Sequence, residues 1–269
     1  MSIQNIFYRY FMRPYLWCIG LTKIKNTKLR INDVIGSYKP TRDVSGTAPL
    51  VVSNHVSWFD MFFYLMYNVS FLAKADISAT PVIKLFANLR QCLYLERQSE
   101  ENRNKTMKMI TDRIQRIKSH NDIPPLLIFP EGTVTNGRSL ISFKKGAFAS
   151  GDPIKIYVIK YNPEPLSYIW SISNINTLYS VLFCLSQFWN TIELIEYEDN
   201  FDPNWVYQSK NLDKTQDTAW IEVAATVKHL MAFAGNFHVE EASTRDLNTL
   251  RDLSRDHNAA MLLDNAKRR

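Results

Sequence analysis

Short apolar runs alternate with segments of helical period along almost the whole chain, and that alternation sets the expected fold. The runs at residues 50–52, 70–73, 92–95, 126–129 and 154–161 are nearly continuous, as in strands buried on both faces. Residues 28–35 read as an edge strand, and 193–199 alternate like a further strand. Between them, 57–67, 80–89, 101–118 and 218–234 read as helices. The clearest is 101–118, where Met107, Ile110, Ile114 and Ile117 form one apolar stripe and lysines and arginines fill a solvated remainder. This order predicts an α/β fold: a central, mostly parallel twisted sheet flanked by helices.

The two apolar stretches outside this alternation need a separate reading. Residues 3–21 are mostly apolar and aromatic, with Asn5, Arg9 and Arg13 at four-residue spacing along one helical face. That pattern predicts an amphipathic helix lying in a membrane interface, bent or ended at Pro14 and anchored by Lys23, Lys25 and Lys28. Two arginines within it argue against a spanning helix, and they interrupt any cleavable signal. Residues 166–192 carry no charge, but their strongly apolar part, 178–189, is too short to cross about 30 Å of hydrocarbon. A buried or interfacial helix is expected there. From residue 240 the chain turns polar and charged, as in a solvated helix or a disordered end. The expected division is therefore 1–27 as a membrane-interface helical segment, 28–239 as the α/β domain, and 240–269 as a charged tail.

Charge and composition narrow the partners. The net charge is +6 and aromatics make up 13% of residues, with Trp17, Trp58, Trp170, Trp189 and Trp205 beside apolar stretches. A basic, aromatic-rich chain suits an anionic membrane surface or a phosphate-bearing substrate. Nucleic acid is not expected, because no basic helix interleaves with base-stacking aromatics. Cys18, Cys92 and Cys184 are scattered in apolar contexts, as core residues of a reducing compartment; neither disulfides nor metal ligands are expected.

Two blocks carry the chemistry. Asn54-His55-Val56-Ser57-Trp58-Phe59-Asp60 follows the run at 50–52, and Phe129-Pro130-Glu131-Gly132-Thr133-Val134-Thr135-Asn136-Gly137 follows the run at 126–128. Ligands of open α/β sheets bind at the carboxyl ends of strands, so both blocks point to one site. A histidine with a carboxylate five residues on suits a general base and its orienting partner. Taken singly, His55 also reads as a helix-capping turn residue, Asp60 as a first-turn acid, and Glu131-Gly132 as a tight turn. Ser57 lacks the Gly-x-Ser-x-Gly setting of a nucleophile and is expected to cap or pack.

Together the blocks resemble motifs one and three of the glycerolipid acyltransferase superfamily, Asn-His-x-Ser-x-x-Asp and Phe-Pro-Glu-Gly-Thr. Thr135-Asn136-Gly137 and Phe143-Lys144-Lys145-Gly146-Ala147-Phe148 are similar to its lysophospholipid acyltransferase branch, which includes lysophosphatidylcholine acyltransferases. The resemblance covers residues 50–161 and extends more weakly to about 234. It implies transfer of a fatty acyl group from acyl-CoA, a co-substrate with no further cofactor, to the hydroxyl of a lysophospholipid. It also implies association with the cytoplasmic face of a membrane, the endoplasmic reticulum if the cell is eukaryotic. In the family, the block matching Glu131-Gly132-Thr133 is associated with acceptor binding. Asn136, Gly137 and Lys144 join it as expected substrate-binding residues. Arg97, closing a segment like motif two, would meet the acceptor phosphate, unless it simply pairs with Glu96 or Glu100.

The sequence departs from the family where motif two usually opens with glycine, here Gln91, and where motif four carries a second proline, here Ile156. These changes bear on selectivity. The Phe143–Phe148 block also suits a lysophosphatidate enzyme, so lysophosphatidate and glycerol 3-phosphate stay open as acceptors. A thioester or phospholipid hydrolase would use similar groups with water as acceptor, and a silent membrane-binding protein would not need His55.

Overall fold

The structure is a computed structural model that describes residues 14, 21–57, 59–64, 66–74, 84, 87–95, 100–120, 122–161, 190–247, 249 and 252. Its centre is a seven-stranded sheet of β1 (Leu21–Leu29), β2 (Leu50–Ser53), β3 (Ser70–Lys74), β4 (Leu93–Leu95), β5 (Leu126–Ile128), β7 (Ile154–Tyr161) and β8 (Asn190–Tyr197). The spatial order is β1-β8-β7-β2-β5-β3-β4, and every pair is parallel except the antiparallel β7–β8. A separate two-stranded ribbon joins β6 (Ser139–Leu140) to β9 (His238–Val239).

Alternation along the central strands sorts the core into two layers. Leu50, Val52, Leu126, Ile128, Ile154, Ile156 and Val158 face one side; Val51, Leu127, Ile159 and Tyr161 belong to the other. On the first side, Ile110, Ile114 and Ile117 of α2 (Glu100–Ser119), Val206 of α3 (Pro203–Ser209) and Val223, Val227 and Leu230 of α4 (Ala219–Gly235) close the layer. On the second side, Phe63 and Tyr64 of the short α1 (Asp60–Tyr64) do so, with Val56 and Phe59 ahead of it. Leu50 and Leu126 have no exposed surface. Truncating either to alanine would cost about 2–5 kcal/mol. The continuous apolar runs in the sequence reflect this burial on both faces.

Most expected elements are present, with shifted ends. The edge strand is the main correction. It occupies Leu21–Leu29, while Ile31–Asp33 is a 3-10 turn, so the sheet starts seven residues ahead of the expected boundary at 28. Lys25 and Lys28, read as membrane anchors, pair with Glu193 at 2.7 Å and with Glu196 at 3.8 Å on β8. The ribbon β6–β9 and α3 had no counterpart in the sequence reading. Residues 240–246 run along the 131–142 loop: the N–H and hydroxyl of Ser142 donate to the carbonyls of Ala242 and Glu241, each at 2.9 Å. The tail therefore begins as part of the fold. Apart from residue 14, the proposed interface helix before residue 21 and the uncharged stretch up to 189 lie outside the described residues. Among the described residues, no helix is long and apolar enough to cross a membrane.

Candidate active site

Because β2 and β5 are adjacent and parallel, their carboxyl ends open at one edge of the sheet. At the end of β2, the side-chain amide of Asn54 donates to the carbonyl of Ile159 at 2.9 Å and accepts from its N–H at 2.8 Å. A side chain thus supplies one more rung of the β2–β7 ladder while the main chain turns away into His55.

The imidazole Nδ1 of His55 lies 2.9 Å from Oδ2 of Asp60, the residue that opens α1. The same oxygen accepts from the backbone N–H of Val56 at 2.7 Å and of Ser57 at 2.9 Å. The other oxygen, Oδ1, accepts from the hydroxyl of Tyr161 at 2.5 Å. Asp60 has no exposed surface, and these donors offset the loss of water around its carboxylate. With Asp60 accepting on every side, Nδ1 of His55 is the ring donor and Nε2 the bare nitrogen. The ring stacks on Phe129 at 4.1 Å and an interplanar angle of 11°, and the side chain is 16% exposed. Among the described residues, none bonds Nε2.

The second block meets the main chain of His55. Glu131 Oε1 accepts from the His55 N–H at 3.2 Å, and Oε2 accepts from the Ile141 N–H at 3.4 Å. The His55 carbonyl accepts from the N–H of Thr135 at 2.8 Å and from its hydroxyl at 3.2 Å. Glu131 is fully buried, and its carbonyl accepts from the hydroxyl of Thr244 at 2.9 Å. Burial pushes the Glu131 carboxyl up to about 7, against the pull of the two N–H donors and of the Lys228 charge.

Gly132 and Gly137 adopt φ of 68° and 67°, which glycine tolerates and other residues resist. Gly132 is exposed, and the ammonium of Lys144 lies over it, in the space a Cβ would occupy. Thr133 is half-buried, and exposed Asn136 locks the turn by accepting from the Arg138 N–H at 3.0 Å. The structure thus brings His55, Asp60, Glu131, Gly132 and Lys144 to one edge; Arg97 lies outside the described residues. Ser57 has its hydroxyl on the N–H of Phe59 at 3.3 Å, a capping contact. Sequence reasoning assigned nothing to Tyr161, Thr244 or Lys228. Lys228 left one trace, a lysine within the apolar run of α4.

The departures from the family pattern acquire a physical setting. Gln91, where glycine is usual, has φ of 54°, and its side chain accepts from Arg113 at 3.2 Å. Ile156 is fully buried in the centre of the sheet.

A family model described as Acyltransferase matches residues 34–159, a span that includes both blocks. The Arabidopsis thaliana lysophospholipid acyltransferase LPEAT1 is 31% identical over 198 residues, 73% of this chain and 47% of that protein. The chain belongs to the glycerolipid acyltransferase superfamily. Human lysophosphatidylcholine acyltransferase 1 is 29% identical over 199 residues, covering 74% of this superfamily member and 35% of the human protein. The chain thus spans less than half the length of these curated relatives. Among solved structures, the 1-acyl-sn-glycerophosphate acyltransferase PlsC of Thermotoga maritima superposes with a TM-score of 0.50 at 16% identity. That match covers 86% of this chain and 78% of the other, and it supports the mostly parallel α/β architecture.

Proposed function

We propose that the chain transfers a fatty acyl group from acyl-CoA to the free hydroxyl of a lysophospholipid at a membrane surface, with no cofactor. The observation that carries this reading is the His55–Asp60 pair. A buried carboxylate 2.9 Å from Nδ1 fixes the ring and leaves Nε2 as the accepting nitrogen. Nε2 takes the proton of the acceptor hydroxyl as its oxygen attacks the thioester carbonyl. The C–S bond then breaks, and the imidazolium returns the proton to the departing thiolate. No enzyme nucleophile is needed, in keeping with the capping role of Ser57. Asp60 stabilises the transient imidazolium. Gly132, Thr133, Asn136, Gly137 and Lys144 border the acceptor, with the Lys144 ammonium placed to attract its phosphate and Arg97 as a further phosphate ligand. The lysophospholipid relatives favour that acceptor class. The basic, aromatic composition supports attachment to the cytoplasmic face of a membrane, the endoplasmic reticulum in a eukaryotic cell.

The test is release of free CoA and appearance of acylated product across a panel of lysophosphatidylcholine, lysophosphatidylethanolamine, lysophosphatidate and glycerol 3-phosphate. Product from one of the first two is expected. Product from only lysophosphatidate or glycerol 3-phosphate would move the acceptor assignment. Thioester cleavage without any acceptor would mark a hydrolase.

A further inference from the structure

We propose that Glu131 and Thr135 are positioning residues that hold the main chain of His55, and that the Glu131 carboxylate does not bind the acceptor. The proposal deepens the reading of His55 as the base and rests on it. The two peptide groups that flank the Cα of His55 are both gripped by the loop after β5. Glu131 takes the N–H on one side, and Thr135 gives two donors to the carbonyl on the other. With Cα clamped at both peptides, and the ring held by Asp60 and Phe129, Nε2 has one direction in which to point. A displacement of about 1 Å at a reacting group costs about 10²-fold in rate, so such a clamp bears directly on turnover.

The same geometry separates Glu131 from the acceptor. Its carboxylate has no exposed surface, and both oxygens already face main-chain N–H groups, those of His55 and Ile141. To reach a substrate it would have to release His55. Gly132 and Asn136 of this block are exposed, as is Lys144 beyond it. The block therefore divides: Glu131 and Thr135 turn inward to aim the base, and Gly132 and Asn136 face outward. The loop is itself tied down from the far end of the domain, through Thr244 on the Glu131 carbonyl and through the β6–β9 ribbon.

Protonation strengthens the case. A proton on the Glu131 carboxyl puts a hydrogen on one of two oxygens that face donors. With the group held up to about 7, the bracket is complete above that pH and loosened below it. The charged and titratable groups around it are His55 and Asp60 from the β2–α1 segment, Lys228 from α4, and Lys144 from the loop itself. All are common to the wild type and to a Glu131 variant, so they largely cancel in a ratio of the two.

Glu131→Gln mimics the protonated form at every pH. In a steady-state assay with lysophospholipid varied, its kcat should fall about 10-fold at pH 8 and only about twofold at pH 6, with the acceptor KM within about twofold of the wild type. Thr135→Val, which removes only a side-chain donor to His55, should lower kcat by a few-fold with the same unchanged KM. An acceptor KM raised about tenfold at unchanged kcat would make Glu131 an acceptor ligand and overturn the proposal, as would wild-type kinetics in both variants. If Glu131→Gln does not fold, Thr135→Val decides the question by the same split. A wild-type enzyme that acylates no lysophospholipid would instead defeat the functional reading. The clamp is then read from the His55 backbone amide resonance, which should move upfield in Glu131→Gln and would contradict the proposal by staying in place.

Discussion

His55 is governed by what surrounds it more than by its own chemistry. Its ring, its N–H and its carbonyl are held by Asp60, Glu131 and Thr135, and Asp60 is in turn held by Tyr161. Tyr161→Phe tests the outermost link. It leaves Oδ1 of a fully buried carboxylate without its hydroxyl donor, a loss of about 1–3 kcal/mol. The variant should unfold at lower denaturant concentration by that amount and turn over up to about 10-fold more slowly. Unchanged stability and rate would show that the hydroxyl does not reach Asp60 in solution. The sequence displayed His55, Asp60 and Glu131 because each sits just past an apolar run within a recognisable block. It did not display Tyr161 or Thr244. Tyr161 reaches Asp60 because β7 is the sheet neighbour of β2, although 101 residues separate the pair. The inward turn of Glu131 was equally hidden, since burial of a carboxylate in a glycine-containing loop has no local sequence signal.

At the scale of elements, the turn into β4 carries a glutamine in a left-handed conformation where the family pattern usually has glycine. Gln91 holds a left-handed φ of 54° and accepts from the buried Arg113, whose Nε and Nη2 have no partner among the described residues. Gln91→Ala keeps the strain and removes the acceptor, whereas Gln91→Gly removes both. Both variants should be destabilised by about 1–3 kcal/mol through the loss at Arg113. The glycine variant should recover about 1 kcal/mol of that because it tolerates the left-handed backbone. Thermal unfolding of the pair checks this, and an alanine variant at least as stable as the glycine one would contradict it. The central strands were legible because burial on both faces makes them continuously apolar. The edge strand was not. Its sequence, LTKIKNTKL, is mostly polar, and Lys25, Thr27 and Lys28 find partners on β8, with Thr27 and Glu193 166 positions apart. Lysines on an exposed strand edge and lysines at a membrane surface look alike in sequence. The helix α2 was read almost to its ends, since its stripe of isoleucines is a purely local signal.

The whole molecule combines a sheet edge that gathers the proposed base and the proposed acceptor loop with a chain of net charge +6 rich in aromatics. Such a chain is expected to sediment with liposomes, more strongly when they contain anionic lipid. High salt should release it only in part, because buried apolar area persists when charge is screened. Complete release by salt alone would leave a purely electrostatic contact. That experiment addresses where the chain works; the proposed chemistry rests on His55. The most direct measurement is acyl transfer from acyl-CoA to lysophospholipid by purified wild type and His55→Ala, with folding of the variant checked by circular dichroism. The account predicts that the folded variant loses about 10²- to 10⁴-fold in kcat, the usual contribution of general acid–base catalysis. A folded His55→Ala that transfers acyl groups at the wild-type rate would contradict it.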